Sequence, residues 1–260
     1  MVDVTHRCNM ACRNCYLPNR DLPDLDTDWL VRILERLPRR TMIRLVGAEP
    51  TVRDDLPDII HRVRAAGHTP ILLSNGLKLR RRSYVRELKA AGLGSVYLSM
   101  NGGLDDDLYL AIDGMRCAAA KTEALAHLVA EKMYVSIGMI LVRGVNEDQP
   151  GALLRHVAGR REVRELHLRS VGPIGRYIDL EPLTLADLVR VFCACSGATP
   201  ASIERHRRDG KSYIDFTHGA GLRVQLTQWP DLGSSSRGRL APDGTIQPFF
   251  EHVMANEGGY

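Results

Sequence analysis

The sequence predicts an α/β fold, a partial (β/α)6 barrel with a small C-terminal extension of β-strands and a hairpin. Short apolar runs alternate with longer segments in which apolar residues recur every three or four positions, the patterns of strands and helices. Six such pairs follow one another, and helices that link parallel strands form right-handed crossovers. Six pairs favour a partial barrel over a complete barrel of eight.

The six predicted strands are rich in apolar and β-branched residues. They span 2–6, 41–47, 70–75, 95–100, 134–142 and 165–172. The predicted helices between them span 26–37, 55–67, 83–92, 122–132 and 149–159. Several of these helical segments end in glycine, which commonly follows a last helical turn. Asp26 or Thr27 can cap the first helix, because their side-chain oxygens accept hydrogen bonds from the free N–H groups there.

The order of elements changes after residue 183. A helix is predicted over 184–195, strands over 212–217 and 222–228, and a hairpin around 241–249 with Asp243–Gly244 as its turn. We therefore expect one compact unit in two parts: a barrel core over 1–183, and a helix-and-strand extension over 184–260 that caps the barrel.

The composition is that of a globular protein, with 44% hydrophobic and 25% charged residues. The apolar runs are too short to cross a bilayer, and no signal-peptide pattern precedes the first cysteines, so we expect a cytoplasmic protein with reduced thiols and no membrane partner. The net charge is +4, and the arginine-rich clusters fit solvated helix faces, an anionic substrate or an acidic electron-donor protein. Only four Phe and two Trp argue against nucleic-acid binding by base stacking.

Three of the six cysteines lie in the segment "THRCNMACRNCYLPNRD", at Cys8, Cys12 and Cys15. Their odd number and the reducing compartment argue against a disulfide. A structural zinc site needs a fourth ligand, which His6 could supply. Three thiolates can instead hold an iron–sulfur cluster that leaves one iron open to another molecule. The loop follows the first strand, which places it at the carboxyl end of the barrel, where barrel active sites are built.

This C-x3-C-x2-C spacing, after the first of six β/α units, resembles the radical S-adenosylmethionine (SAM) superfamily over about residues 1–175. The resemblance implies that the three cysteines hold one [4Fe–4S] cluster whose open iron chelates SAM. One electron, delivered by a reductant such as flavodoxin or ferredoxin, then cleaves SAM to a 5′-deoxyadenosyl radical. The family commonly has an aromatic residue before the third cysteine; here that residue is Asn14, and Tyr16 is the candidate adenine contact.

The segment "LVGAEP" at the end of the second strand resembles the family's Gly-Gly-Glu-Pro motif, with Ala48 in place of one glycine. The resemblance implies that Gly47, Ala48 and Glu49, followed by Pro50, accept hydrogen bonds from the SAM amino group. Ala48 fits only if its φ stays negative. The alternative is an ordinary strand-to-helix turn with a solvated glutamate.

Polar residues also follow the later strands, where turn chemistry is the alternative explanation for each. The resemblance implies SAM contacts from Ser74, Asn75, Ser99, Ser136, Arg143 and Val171, and substrate contacts from Asn101, Arg169 and Arg176. Arg143 could pair with the SAM carboxylate or an anionic substrate, or lie on the surface. The fifth strand is similar to that of the molybdenum-cofactor enzyme that rearranges GTP and of its peptide-modifying relatives. The cysteines of their C-terminal auxiliary clusters are missing here.

The other cysteines are Cys117, Cys193 and Cys195. On a helix over 184–195, Cys193 shares the apolar face and Cys195 lies about 200° further round, so the two cannot hold one cluster. Buried small apolar residues are one interpretation. The other is that Cys117 or Cys193 donates a hydrogen atom to a substrate radical.

These observations predict a radical SAM enzyme that abstracts hydrogen from a small polar metabolite, such as a sugar, natural-product or cofactor precursor. Dehydrogenation, epimerisation or rearrangement would follow. One alternative is modification of a ribosomal peptide or protein, including glycyl-radical activation. The other is a zinc-stabilised binding module without catalysis.

Overall fold

The computed structural model describes residues 1–13, 15, 23–172, 181–228, 238–240 and 246–248. In this part of the chain the strands form a single sheet. They are β1 (Val2–Thr5), β2 (Met42–Gly47), β3 (Thr69–Ser74), β4 (Ser95–Ser99), β5 (Tyr134–Leu141), β6 (Val163–Ser170), β7 (Tyr213–His218), β8 (Leu222–Thr227), β9 (Gly238–Leu240) and β10 (Ile246–Pro248). The predicted α/β fold is confirmed, and the sheet is open, as expected for a partial barrel.

The sheet has the order β10-β9-β1-β2-β3-β4-β5-β6-β8-β7. Strands β1 to β6 are parallel and adjacent in chain order. Their carboxyl ends therefore lie along one edge of the sheet, which we call the carboxyl edge. All six predicted strands are present, within two residues of their predicted bounds.

The described helices are α1 (Thr27–Leu34), α2 (Leu56–Ala65), α3 (Arg82–Ala90), α4 (Asp106–Asp113), α5 (Ala118–Ala130), α6 (Gln149–Val157), α7 (Leu185–Ser196) and α8 (Pro200–Glu204). Asp26 caps α1 by accepting a hydrogen bond from the Trp29 N–H. The sequence prediction missed α4 and α8. The first turn of α4 is acidic and follows two glycines, so its sequence is typical of a loop; the Asp105 side chain nevertheless caps it.

The strands of the C-terminal segment extend the sheet at both edges. Strand β8 pairs in parallel with β6, and β7 pairs antiparallel with β8. At the far edge β9 pairs in parallel with β1, and β10 returns antiparallel to β9. The predicted hairpin pairing is thus present, whereas its turn residues Asp243 and Gly244 lie outside the described part of the chain.

The two faces of the sheet differ in chemistry. Apolar residues such as Val4, Leu45 and Val96 are buried in one core together with residues of the helices. Because side chains alternate along a strand, their neighbours lie on the other face. We call it the inner face; it carries Tyr97, Ser99, Ser136, Gly138, His167, Arg169, Gln225 and Thr227. No helix in the described residues is long and apolar enough to cross a membrane.

Candidate active site

The cysteine loop leaves β1 beside the end of β2. The Ala48 N–H donates to the Thr5 carbonyl at 2.9 Å, and the Glu49 N–H donates to the Arg7 carbonyl at 3.0 Å. Gly47 has a φ of +131°, and a Cβ there would lie 2.1 Å from the Thr5 oxygen. Ala48 is not among the residues with positive φ, so the condition set for an alanine in this motif is met. These contacts fix the first residues of the loop against the Gly47–Pro50 segment.

Arg53 binds the backbone on both sides of the cysteine loop. Its guanidinium, 5% exposed as a residue, donates to the Val4 carbonyl at 2.7 Å and the Leu25 carbonyl at 2.6 Å. It also forms two hydrogen bonds with the Asp55 carboxylate. The sequence reasoning missed Arg53, because nothing local distinguishes it from a surface arginine before a helix.

The three cysteines of the loop lie in different surroundings. The Met10 N–H donates to Cys8 Sγ at 3.3 Å, and Asn75 Nδ2 lies 4.0 Å from the same sulfur. The Cys15 N–H donates to the Cys12 carbonyl at 3.3 Å. Burial raises the pKa of the Cys12 thiol, and the charges of Asp113, Cys15 and Cys8 raise it further. Within the described residues no three His, Cys, Asp or Glu side chains are gathered closely enough to hold a metal ion.

The donor set nevertheless fits an iron–sulfur cluster. Three thiols on one loop are the ligand type that such clusters take, and N–H groups directed at the sulfurs are a usual feature of their surroundings. Cys8 and Cys12 pack against a small apolar cluster of Met10, Tyr109, Cys117 and Ala118. This packing places apolar groups against one side of the loop.

Helix α4, which contributes Tyr109 to this cluster, also contacts the backbone of the loop. The Arg13 N–H donates to the Ile112 carbonyl at 3.0 Å. Gly114 ends α4 with a φ of +78°, and a Cβ there would lie 2.9 Å from the Ala11 carbonyl oxygen. The glycine thus allows the helix end to approach the backbone of the cysteine loop.

Glu49 is a buried acceptor that joins the ends of β2 and β3. Its Oε1 accepts hydrogen bonds from the Thr51 N–H at 3.1 Å, the Thr51 hydroxyl at 2.6 Å and the Ser74 hydroxyl at 2.9 Å. Its Oε2 accepts one from the Asn75 N–H at 2.6 Å. The residue is 1% exposed, so it is not the solvated glutamate of the alternative reading. Burial raises its pKa, against the opposing effect of these hydrogen bonds.

Asn75 connects the hydrogen-bond network of Glu49 to the cysteine loop. Its Nδ2 donates to Asn9 Oδ1 at 2.8 Å, and its Oδ1 accepts from the Leu77 N–H at 2.9 Å. The Ser74 hydroxyl, in turn, accepts from the Gly76 N–H at 3.0 Å. The structure therefore brings Ser74, Asn75 and Glu49 together beside Cys8, and all three side chains already bind protein groups.

A second buried hydrogen-bond network lies at the end of β4. Lys121 Nζ donates to the Ser99 carbonyl at 2.9 Å and lies 3.5 Å from Asp113 Oδ2, with both charged side chains buried. Asn101 donates to Asp113 Oδ1 at 2.8 Å and accepts from the Ile140 N–H at 3.0 Å. The side-chain amide of Asn101, a residue expected to contact the substrate, thus joins β4, β5 and α4 through hydrogen bonds.

Arg143 is held by the N-terminus of α7. Its Nη2 donates to Asp187 Oδ2 at 2.8 Å and to the Pro182 carbonyl at 3.2 Å. The backbone N–H of Thr184, the Arg143 guanidinium and the Thr184 hydroxyl lower the pKa of Asp187 to about 2. The structure gives Arg143 a protein carboxylate as its partner and leaves its side chain 37% exposed; of the three alternatives for Arg143, the SAM carboxylate, an anionic substrate and the surface, this arrangement is nearest to the surface arginine.

The remaining expected residues are spread over the carboxyl edge and the inner face. Val171 is buried and its N–H donates to the Leu141 carbonyl. Ser136 pairs in register with Tyr97, so it lies two residues further from the carboxyl edge than Ser99 does. Arg169 lies on the inner face beside Thr227. Tyr16 and Arg176 lie outside the described residues.

Tyr97 and His167 form an inner-face pair that the sequence reasoning missed. The Tyr97 hydroxyl lies 3.3 Å from His167 Nδ1, and His167 Nε2 lies 2.8 Å from the Thr227 hydroxyl. A Cβ on Gly138 would lie 2.1 Å from the Tyr97 hydroxyl, so the glycine leaves room for the ring. The available signal was the period-2 alternation of "SVYLSM" and "ELHLRS", which puts Tyr97 and His167 opposite the apolar core.

The other three cysteines do not form one group. Cys117 lies in the apolar cluster beside Cys8 and Cys12, and burial raises its pKa to about 11. Cys193 packs on the main core among the helices. Cys195 was expected to point away from the packed face, but it lies against α6. A Cβ added to Gly151 of that helix would be 2.9 Å from the Cβ of Cys195. Only Cys117 of the two expected hydrogen donors lies beside the cysteine loop.

The parallel sheet defines an α/β protein of the partial-barrel class, and the loop of three thiols at its carboxyl edge is a candidate site at the ends of the strands. Residues 2–157, more than half of the chain, match the family described as the Radical SAM superfamily. The chain belongs to this superfamily. Its members are enzymes that use SAM and an iron–sulfur cluster.

Two curated relatives and one solved structure illustrate the similarity. The 7,8-dihydro-6-hydroxymethylpterin dimethyltransferase of Methanocaldococcus jannaschii is 32% identical over 67% of this chain and 36% of its own length. The GTP 3′,8-cyclase of Xanthomonas axonopodis pv. citri is 28% identical over 94% of this chain and 77% of its own length. Streptococcus suis SuiB bound to S-adenosylmethionine shares the fold, with a TM-score of 0.68 and 15% identity over 95% of this chain and 59% of that chain.

These findings confirm the predicted superfamily, the enzyme class and the kinship with the GTP-rearranging enzymes. They argue against a zinc-stabilised module without catalysis. The chain spans only about a third of the methanogen relative and less than two thirds of SuiB. The identity of the substrate is therefore a matter for proposal.

Proposed function

We propose that Cys8, Cys12 and Cys15 hold one [4Fe–4S] cluster with SAM on its open iron, and that the enzyme abstracts hydrogen from a small polar metabolite. The observation that carries this is the position of the three thiols. They lie on the loop after the first of six parallel strands, inside the segment that matches the superfamily. When bound, the cluster supplies the electron that cleaves SAM to methionine and a 5′-deoxyadenosyl radical.

The chain's own residues would place SAM beside the thiols. Glu49 is fixed by four hydrogen bonds, three of them on Oε1. Oε2 accepts one hydrogen bond from the described residues, that of the Asn75 N–H, so it is the less occupied oxygen and the one with capacity for an ammonium group. We infer that Glu49 both joins β2 to β3 and offers this one oxygen to the SAM amino group.

We assign the substrate to the inner face, whose chemistry favours a small polar molecule. Its carboxyl half carries polar groups in neighbouring strands: the Tyr97–His167 pair, Ser99, and Arg169 at the edge. Arg169 is a cation, so it favours a substrate with a negative or strongly polar group. The names of both curated relatives describe action on small heterocyclic molecules, a pterin and GTP. Support for a peptide substrate is confined to the fold, which this chain shares with Streptococcus suis SuiB, a protein also solved with the precursor peptide SuiA at 19% identity to this chain.

The experiment is anaerobic reconstitution with iron and sulfide, followed by reduction in the presence of SAM and deuterated candidate metabolites. Deuterium in the 5′-deoxyadenosine identifies a substrate. Label transfer from free nucleotides, pterins or sugars supports the proposal. Transfer from peptides alone would replace the small-molecule proposal with peptide modification, and failure to form 5′-deoxyadenosine at all would refute SAM cleavage.

A reducing location such as the cytoplasm suits this chemistry, because the proposed ligands must be thiolates and all six cysteines are free. Radical chemistry also needs a one-electron donor, for which a flavodoxin or ferredoxin is proposed.

A further inference from the structure

A basic surface adjoins the cysteine loop at the carboxyl edge. It surrounds a cavity of about 440 Å³ between the turn after β3 and the segment that joins α4 to α5. The cavity is lined by four cationic side chains, those of Lys78, Arg80, Arg81 and Arg116, together with Asn9 and Cys117. We use "basic surface" for these four cations.

The acidic groups around the basic surface do not neutralise it. Lys78 lies 3.5 Å from Asp54, and Arg116 pairs with Asp107. These two carboxylates are themselves 101% and 76% exposed, so water weakens both pairs. Arg80 is exposed, and no acidic partner is described for it.

Two cations next to this surface are already paired. Arg82 and Arg86 both donate to Glu131, at 2.8 and 2.9 Å. Glu87 lies on the same helix. The four cations that line the cavity outnumber the three carboxylates described beside it, those of Asp54, Asp107 and Asp106, the last of which accepts from the Ala118 N–H at 2.7 Å. The cavity therefore keeps a net positive charge.

The basic surface reaches the first cluster ligand. Asn9, in the cavity wall, directly follows Cys8, and its Oδ1 accepts a hydrogen bond from Asn75 Nδ2 at 2.8 Å. Cys117, also in the wall, packs in the apolar cluster with Cys8 and Cys12. A molecule seated on this surface would be separated from Cys8 by one residue of the loop.

We propose that the basic surface docks a small acidic electron-carrier protein, and that this is where the electron enters. The proposal rests on the proposed function. In the transfer, the carrier loses one electron and the cluster gains one; no atom or proton is exchanged. Charge complementarity favours this occupant, because opposite surface potentials accelerate encounters and orient a transient complex. Redox complexes are typically small interfaces, of a size that a patch of this kind can supply.

The test uses a purified bacterial flavodoxin as the probe and the variant Arg80→Gln/Arg116→Gln. Flavodoxin affinity is measured with cluster-free and reconstituted protein, and cluster reduction is followed by optical bleaching. We expect the variant to bind flavodoxin and to be reduced by it about tenfold more weakly and slowly at low ionic strength, with a shallower salt dependence. Reduction by dithionite, which needs no docking, should be unchanged.

A matched control is Arg160→Gln/Arg161→Gln. These two arginines precede β6, so they lie at the amino ends of the parallel strands, away from the carboxyl edge. This control should behave like the parent. Equal losses in both variants, or no loss in either, would overturn the proposal. Inorganic triphosphate provides a further test. If the parent binds triphosphate and the Arg80→Gln/Arg116→Gln variant does not, while flavodoxin still reduces the variant at the parent's rate, the proposal is also overturned. If the parent forms no cluster, the proposed function fails, whereas flavodoxin binding to cluster-free protein still tests the surface.

Discussion

Gly47 faces the carbonyl oxygen of Thr5 so closely that a Cβ on Gly47 would lie 2.1 Å from it. Gly47 also has a φ of +131°, which side chains disfavour. Strands β1 and β2 meet here, at the last residue before the cysteine loop begins.

Gly47→Ala is therefore expected to destabilise the protein by at least about 2 kcal/mol, since the backbone must move to relieve both the clash and the strain. It should also lower the iron bound on reconstitution. Ala48→Gly, one residue on, has no such clash to relieve and is the control. Urea unfolding and iron analysis measure both effects; a Gly47→Ala protein as stable as the parent would contradict the geometry.

Each of Cys8→Ala, Cys12→Ala and Cys15→Ala should abolish cluster assembly and SAM cleavage, because each removes one of the three thiolates proposed to hold the cluster. The triple variant Cys117→Ala/Cys193→Ala/Cys195→Ala should retain about four irons per chain. Iron, sulfide and zinc analysis after reconstitution distinguishes the outcomes. A parent with about eight irons that falls to four in the triple variant would reveal a second cluster, and stoichiometric zinc would restore the zinc hypothesis.

Glu49→Gln should destabilise the protein by about 1–3 kcal/mol, because its amide would direct N–H groups at donors that now bind a carboxylate. It should also displace Asn75 and weaken SAM binding. Ser74→Ala, which removes only one of the four donors, is expected to cost about 1 kcal/mol. Unfolding in urea and calorimetric SAM titration report the two effects; unchanged stability would mean that the Glu49 network does not support the strand ends.

Gly138→Ala should destabilise the protein by about 1–3 kcal/mol, since a methyl group would meet the Tyr97 ring. Tyr97→Ala should remove part of this cost when the two changes are combined. A double-mutant cycle measures the coupling. Additive losses would show that the two residues do not compete for the same space.

Asp187→Asn should lower stability at neutral pH in a pH-dependent manner. The pKa of Asp187 is lowered from 3.8 to about 2, chiefly by the Thr184 backbone N–H and then by Arg143. The stabilisation is therefore present above pH 3.8 and is lost as the pH falls towards 2. The stability difference between parent and variant should be constant from pH 7 to about 4 and narrow below it. Asp209→Asn, at an exposed site, is the control for urea unfolding at each pH.

The strand positions could be predicted from the sequence because alternation along each strand is a local signal, as in "SVYLSM" around Tyr97. The position proposed for the site rests on Cys8 and Glu49, which the sequence places after successive strands and the structure places at one edge of the sheet. What could not be predicted are partners that depend on tertiary contacts. Arg53 binds the Val4 carbonyl 49 residues away, and Arg143 binds Asp187 44 residues away. Propensity and spacing carry no information about pairs so distant in the chain.

The parallel pairing of β1 with β9 has a consequence for maturation in the cell. Val2 pairs with Leu240, whose N–H donates to the Met1 carbonyl at 3.0 Å. Contacts between residues so far apart in sequence form late, because a long loop must close first. During translation β1 therefore has β2 as its partner but lacks β9 until residue 240 has left the ribosome. We expect the loop after β1 to reach its final conformation only then, so that insertion of the proposed cluster would follow synthesis of the chain instead of accompanying it.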